Sequence, residues 1–560
     1  MSWVQIGMLW ETFSVVRDLP RLHEIASVMI RYGWGDFVRV LGMGSVLERA
    51  GRILHWKTRS SEIDQLEPAV RFRMALEELG PTFIKLGQLL STRMDLLAPA
   101  WITELEKLQS HVPAVPFEDI EADVLLLLGK PLDEVFASFE REPFAAASIA
   151  QVHRAQLLDG TRVVVKIRRP GLERKVEADL RILQHLARLF EHEYAEARRF
   201  QLVGMVSYFR RALLQELDLL TEAHHMTRFQ KNFADDPTVR IPKIFWDYTS
   251  SGMNVQEELQ GILGSRLDEV RAAGLDPVIL AERGANIVLK MILVDGYFHA
   301  DPHPGNVMYL PGNCIGLIDF GMVGRLTEYR RQQLIGLLDA LVRNEEADLI
   351  QILMDWTGEE EVNEVKLAHD VADLMANYDH LQLKDVRVAA LLNDIASLIR
   401  DNSLLLPADL TLLFKALITL EGLGQQLNPN FQLSDLMAPF VRDVIMQRYT
   451  AEALIKRSRR GLKEAFEVVA GLPRDVAKLM REVRRGRLRI DLDLKRLDSF
   501  GQQIDRASNR VTMGILTASL VIGSSIVMTV DGWRFMGFIG FALAFLNSLW
   551  VIFSIWRSGS

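Results

Sequence analysis

Two short stretches carry the residue types that phosphoryl transfer needs: Gly296-Tyr297-Phe298-His299-Ala300-Asp301-Pro302-His303-Pro304-Gly305-Asn306 and Ile318-Asp319-Phe320-Gly321. Moving a phosphoryl group asks for positioning and charge neutralisation rather than covalent chemistry. A carboxylate beside the acceptor, an amide oxygen and a second carboxylate that holds magnesium against the phosphates are enough. Asp301, Asn306 and Asp319 occur in that order. An Asp-Phe-Gly turn alone is a common solvated loop. The ordered set brackets the apolar run Ile315-Gly316-Leu317-Ile318, and together they read as the phosphate and metal end of a site.

Such groups must face a cation on the opposite wall of a cleft. Protein kinases supply it as a lysine ending an apolar strand. Here Phe136 to Glu140 reads as a short strand, and Pro143 to Gln151 as a small-residue loop running into a strand over 152–158. Asp159-Gly160 is a hairpin turn, after which a β-branched strand over 162–167 carries Lys166. A lone lysine on such a strand points to water; its place between that loop and the Asp–Asn–Asp set argues for a phosphate contact. A glutamate must orient it, and the acidic run from Gln215 to Ala223 offers Glu216 and Glu222, with Asp218 and Glu222 at i and i+4 on one helix face. The sequence leaves the choice between Glu216 and Glu222 open. Two further strands are expected at 241–248 and 253–259, with Gln256-Glu257-Glu258-Leu259 placed as the inter-lobe connector that meets adenine.

The flanking segments read as helices. In the first, Trp3, Ile6, Trp10 and Phe13 recur at helical spacing, which suits either a membrane surface or an ordinary half-buried helix. Glu11, Arg17, Asp18 and Arg21 interrupt any secretory pattern. A helical segment over 70–97 sets Lys85, Gln88, Thr92 and Asp95 on one face, by itself a solvated stripe. Between Lys456 and Arg510 there are twice as many Lys and Arg as Asp and Glu. Beyond it, Val511 to Val530 and Phe535 to Trp556 carry no charge, and each is long enough to cross a bilayer. The short link between them demands an antiparallel hairpin. Trp533, Trp550 and Trp556 are placed as interfacial anchors, and Gly514, Ala518, Gly537 and Gly540 as close-approach positions. The formal charge of −8 argues against a nucleic-acid partner. A single cysteine, Cys314, excludes a disulfide framework and a thiolate cluster.

Lys85-Leu86-Gly87-Gln88 with Ser91-Thr92-Arg93, the alanine-rich Ala145-Ala146-Ala147-Ser148-Ile149-Ala150-Gln151-Val152, Lys166, Glu216-Leu217-Asp218, the His299–Asn306 loop and Asp319-Phe320-Gly321 together resemble the UbiB (AarF) family of atypical kinases, between residues 66 and 345. The resemblance implies an α+β, two-lobed protein-kinase-like fold with an N-terminal helical extension and a C-terminal transmembrane helical hairpin. The expected segments are 1–65 (helical, possible membrane contact), 66–130 (the extension), 131–265 and 266–455 (the two lobes), 456–510 (a basic linker) and 511–557 (the hairpin). It also implies ATP or ADP with magnesium, and a role in ubiquinone biosynthesis as a kinase or ATPase. The implied partners are the lipid bilayer, prenylated quinone precursors and membrane-bound quinone-biosynthesis enzymes. The implied location is the inner (cytoplasmic) membrane of a bacterium, with the catalytic region facing the cytoplasm.

Position by position, the resemblance makes Asp301 the catalytic-loop carboxylate, Lys166 the phosphate-binding cation, and Asn306 and Asp319 the metal ligands. Residues Ala145 to Val152 take the place of the glycine-rich loop against the nucleotide, and Glu222 resembles the partner of Lys166. Glu216 and Asp218 belong to the family's own acidic motif, which is expected to crowd the site together with Lys85 and Gln88. Alanine in place of glycine restricts positive φ and adds Cβ atoms beside the phosphates, which should suppress transfer to bulky acceptors. Ala300 stands where ordinary kinases have the arginine that answers a phosphorylated activation loop. A nucleotide-gated scaffold or lipid-binding protein without turnover is the alternative; a conventional Ser/Thr kinase conflicts with the loop and the extension.

Overall fold

Leu22, Ile25, Ala26, Val28 and Met29 share one face of α1 (Leu19–Arg31), and that face is buried. The structure is a computed structural model that describes residues 18–34, 65–108, 113–194, 198, 200–357, 362–378, 386–437, 512–513, 515–528 and 538–548. The face of α1 packs with α2 (Pro68–Leu79), α3 (Pro81–Thr92) and α4 (Pro99–Glu106) into a helical extension with its own apolar core. The single helix expected over 70–97 is in fact two. Gly80, at φ 96°, ends α2, and Pro81 opens α3, where its missing N–H costs nothing. The polar stripe is not solvated either. Thr92 and Asp95 are buried, and Asp95 accepts from Leu406 N at 3.0 Å, which fastens the extension to the large lobe.

After α5 (Phe117–Leu128), the strands β1 (Phe136–Phe139), β2 (Ala145–Ala146), β3 (Ala150–Leu157) and β4 (Arg162–Arg168) form an antiparallel sheet. Period-two alternation divides it. Ala155, Leu157, Val163, Val165 and Ile167 are buried with Phe117 and Val124 of α5, whereas Ala150, Val152, Val164 and Lys166 line a cleft. Helices α6 (Leu172–Glu193), α7 (Leu202–Leu217) and α8 (Leu219–Asn232) follow. Asp179 of α6, fully buried, is held by Arg21 Nε at 2.7 Å, tying α1 to α6.

Strand β5 (Val239–Arg240) belongs to a second sheet, and β6 (Met253–Glu257) completes the first beside β4. The strand expected over 241–248 is a single bridge, Ile244 to Gln256, followed by a 3-10 turn at Trp246–Tyr248. Pro242, lacking an N–H, cannot serve a ladder there.

The large lobe starts with β7 (Ile262–Leu263), α9 (Leu267–Ala272) and α10 (Pro277–Leu289). The chain after α10 widens into a π-helix, Lys290–Asp295, and turns at Gly296 with φ 59°. A Cβ on Gly296 would lie 2.8 Å from the Leu326 carbonyl, so both its φ and its neighbours demand glycine. This turn delivers β8 (Tyr297–His299) and the loop to Asn306, followed by β9 (Val307–Leu310), β10 (Cys314–Leu317) and β11 (Val323–Arg325). Helices α11 (Glu328–Arg343), α12 (Glu346–Thr357), α13 (Glu364–Tyr378), α14 (Val388–Asp401) and α15 (Ala408–Leu427) enclose the largest apolar core.

Residues 451–560 form a separate unit. Within it, 515–528 and 538–548 are helical. Asn547 Nδ2 donates to Thr517 Oγ1 at 2.8 Å, while Gly540 lies against Ser524, so the two helices run antiparallel. No helix among the described residues is long and apolar enough to cross a membrane. The ends of the two expected spans, the basic stretch 456–510 and the Trp3–Phe13 pattern lie outside the described residues.

Gly87 packs α3 closely: an added Cβ would stand 2.2 Å from Leu108 Cδ1 and 2.8 Å from Leu76 Cδ1. Gly87→Ala is therefore expected to destabilise the chain by about 1–3 kcal/mol in urea unfolding. An unchanged midpoint would contradict that packing.

Candidate active site

Between the first sheet and the large lobe lies a cleft of about 1460 Å³, walled on one side by Lys85, Gln88 and Ser91 of α3. Strand β4 carries Lys166 into it. The Lys166 ammonium donates to both oxygens of Glu222, at 2.9 Å each, and to Asp319 Oδ2 at 3.3 Å. Glu222 is thus the partner of Lys166. Glu216 instead pairs with Lys85. The reason is local: Asp218 is extended, at φ −97° and ψ 96°, so α7 ends before it and α8 starts after it. No helical phase connects Asp218 with Glu222. Asp218 accepts from Leu220 N as the cap of α8 and does not line the cleft.

Charge sets the protonation states. Burial pulls the Lys166 ammonium down, but Asp319 and Glu222 outweigh it and hold it above the ordinary lysine value. For Asp319, burial pushes up, and the Lys166 charge with a hydrogen bond from Gly321 N overcomes that and holds it well below the usual carboxylate range. Phe320, between them, is fixed from several sides. Its N–H donates to Glu222 Oε1 at 3.3 Å, and its carbonyl meets His225 Nδ1 at 3.0 Å. Its ring lies 4.9 Å from Phe229 and 5.4 Å from His299. His299 Nδ1 accepts from Asp301 N at 3.1 Å, so Nε2 bears the hydrogen and donates to the Asp319 carbonyl. Burial keeps that imidazole below its ordinary pKa. One neutral histidine thereby links the two chemistry-bearing loops.

Asp301 faces Lys415 of α15, whose Nζ is 3.0 Å from Oδ1, and His303, whose Nε2 is 3.8 Å from Oδ2. Burial raises its pKa, and Lys415 and His303 more than reverse that. Asn306 Nδ2 donates to the Asp301 carbonyl at 3.1 Å, which leaves its amide oxygen as the acceptor end. One carboxylate and one amide oxygen suit magnesium, which takes few protein ligands and completes its shell with phosphates and water. Among the described residues, no cluster of three or more His, Cys, Asp or Glu could hold a metal by itself.

The alanine-rich segment is a tight hairpin, closed by Ala147 N donating to the Ala150 carbonyl at 2.8 Å. Ala145, Ala146, Ala147, Ser148, Ile149, Ala150 and Val152 line the cleft, and the buried Ser148 hydroxyl has no hydrogen-bond partner. Gln151 does not line it. Strand alternation turns Gln151 to the other face, where its amide exchanges hydrogen bonds with both Val115 N and Val115 O. Val152 and Val164 from the sheet, Met308 from β9 and the expected connector Gln256-Glu257-Glu258-Leu259 also line the cleft. Gln88 Nε2 donates to the Leu108 carbonyl at 3.0 Å.

Comparison with known proteins decides the family. Residues 107–353 match the ABC1 atypical kinase-like domain, 371–432 the UbiB helical domain and 495–557 the ABC1/UbiB kinase-like C-terminal domain. The chain is 34% identical to the "probable protein kinase UbiB" of Marinobacter nauticus, over 83% of this chain and 86% of that one. It belongs to the UbiB family of atypical kinases. The UbiB protein of Azotobacter vinelandii is 36% identical over 79% of this chain and 84% of its own. A Clostridium pasteurianum protein, described as an uncharacterized protein in the hydrogenase 1 5' region, is 31% identical over 96% of this chain and 99% of its own. In UbiB terms, Lys415 lies in the helical domain, outside the kinase-like match. Sequence reasoning missed it, along with the bracing roles of His225 and His299.

Burial holds His153, His225 and His299 below their ordinary pKa. Their stabilising effect is present above about pH 6.5, where the unfolded imidazoles are neutral, and is lost as pH falls towards the folded values. The urea midpoint should therefore fall between about pH 7 and pH 5, and His299→Gln should flatten that slope by up to about one proton. An unaltered slope in the variant would mean that His299 is not kept neutral.

Proposed function

We propose that this chain is a membrane-associated, magnesium-dependent atypical kinase or ATPase that turns over ATP in support of ubiquinone biosynthesis. The observation that carries this reading is the convergence of Lys166, Glu222, Asp319, Asn306 and Asp301 on one cleft. Magnesium supplies charge neutralisation on the phosphates, with Asp319 and Asn306 holding it. Lys166 takes the α- and β-phosphates, the alanine hairpin covers them, and Asp301 orients the acceptor hydroxyl or water and receives its proton. Lys85, paired with Glu216, and Gln88 occupy the same cleft, which favours a small acceptor over a peptide.

The C-terminal unit supports membrane association. Its helices turn Thr517, Ser524 and Asn547 towards each other and leave Ile515, Ile522, Ile526, Phe538, Phe545 and Leu546 exposed. That is the reverse of a water-soluble hairpin and suits lipid. The basic run before it favours a cytoplasmic position for the catalytic region at a bacterial inner membrane. Ubiquinone biosynthesis comes from the family resemblance, and with it prenylated quinone precursors and membrane-bound biosynthetic enzymes as partners.

The full chain in phospholipid vesicles should release phosphate from ATP only with magnesium, and chelation should abolish release. Asp301→Asn should lower turnover by about 100-fold or more. Absence of turnover would contradict the proposal. So would an unimpaired Asp301→Asn protein, which is the result expected of a nucleotide-gated scaffold.

A further inference from the structure

The loop from His299 to Asn306 contains no lysine or arginine, yet its carboxylate has a full positive charge beside it. That charge comes from α15, on a helix whose neighbouring positions Phe414 and Ala416 are entirely buried. The side chains of Lys415 and Asp301 are 21% and 26% exposed, so the pair opens onto the cleft rather than being sealed in the core. The cleft's other lysines are engaged elsewhere, Lys166 with Glu222 and Asp319, and Lys85 with Glu216. Glu106 from α4 also lies close enough to Lys415 to feel its charge, and His303 from the loop stands beside Asp301; both line the same cleft. Thr419, one turn further along α15, lines it too.

Resting on the kinase or ATPase reading, we propose that Lys415 is a catalytic residue that contacts the γ-phosphoryl group of a bound nucleoside triphosphate while sharing Asp301. In the transfer, a bond forms between the acceptor oxygen and the γ-phosphorus, and the bond from that phosphorus to the β–γ bridging oxygen breaks. The electron pair leaves with the diphosphate, and the acceptor proton passes to Asp301. Lys415 gives up no proton. It neutralises charge on the transferred group, a position beside Asp301 that Lys166, committed to Glu222 and Asp319, does not hold. Its ammonium, 3.0 Å from Asp301 Oδ1, also holds that carboxylate in place beside the acceptor. A lysine serving only to tie α15 to the loop would not distinguish a triphosphate from a diphosphate.

That distinction is the test. Displacement of a fluorescent nucleotide from the full chain, with magnesium, gives affinities for ATP and ADP in wild type, Lys415→Met and Lys415→Arg. Lys415→Met is expected to weaken ATP by about tenfold or more and ADP by less than about twofold, with Lys415→Arg recovering most of the loss. Equal weakening of ATP and ADP, or no weakening in a Lys415→Met chain of unchanged melting temperature, would overturn the role of Lys415 alone. A wild-type chain that bound neither nucleotide would overturn the kinase reading, and this assignment with it.

Discussion

Lys166 brings an ammonium to a place where its side chain is only 18% exposed, and a charge held there must be paired. Glu222 and Asp319 provide the pairing from different elements, α8 and the turn after β10. A single cation therefore fixes the position of a strand, a helix and a loop at once. Glu222 extends the tie by accepting from Phe320 N, and Phe320 is gripped in turn by Phe229, His225 and His299. His299 passes the constraint to Asp301. Removing either carboxylate would leave the lysine under-compensated, so the pairing is both an electrostatic need and a positioning device.

The helical extension joins this arrangement by the same means. Lys85 meets Glu216 at the end of α7, immediately before the extended Asp218 that separates it from α8. Just beyond α3, Asp95 accepts from Leu406 N. Through these contacts α3 is fastened to both lobes and forms part of the cleft wall. Three lysines, each from a different element, stand against carboxylates around one cavity.

Much of the site was legible because its residues sit in short, ordered motifs. Asp301, Asn306, Asp319 and Lys166 needed only spacing and a strand pattern to be found. Gln151 and Asp218 lie inside such motifs yet do structural work. Period two along β3 could have revealed the first, since Ala150 and Val152 share a face that Gln151 cannot. The second depended on a helix break that an i, i+4 reading assumed away. Lys415 was illegible for a different reason: one lysine in a leucine-rich helix reads as a solvated position. Only tertiary packing carries it to Asp301. The break at Gly80-Pro81 could have been read from glycine and proline chemistry.

The central claim is that Asp319 and Asn306 form a divalent-cation site completed by a nucleotide. Manganese, standing in for magnesium, reports this by electron paramagnetic resonance with a non-hydrolysable ATP analogue and the full chain. A bound-manganese signal should appear only with the nucleotide, persist in Glu216→Gln and vanish in Asp319→Asn. A signal that survives Asp319→Asn, or that forms equally well without nucleotide, would contradict it.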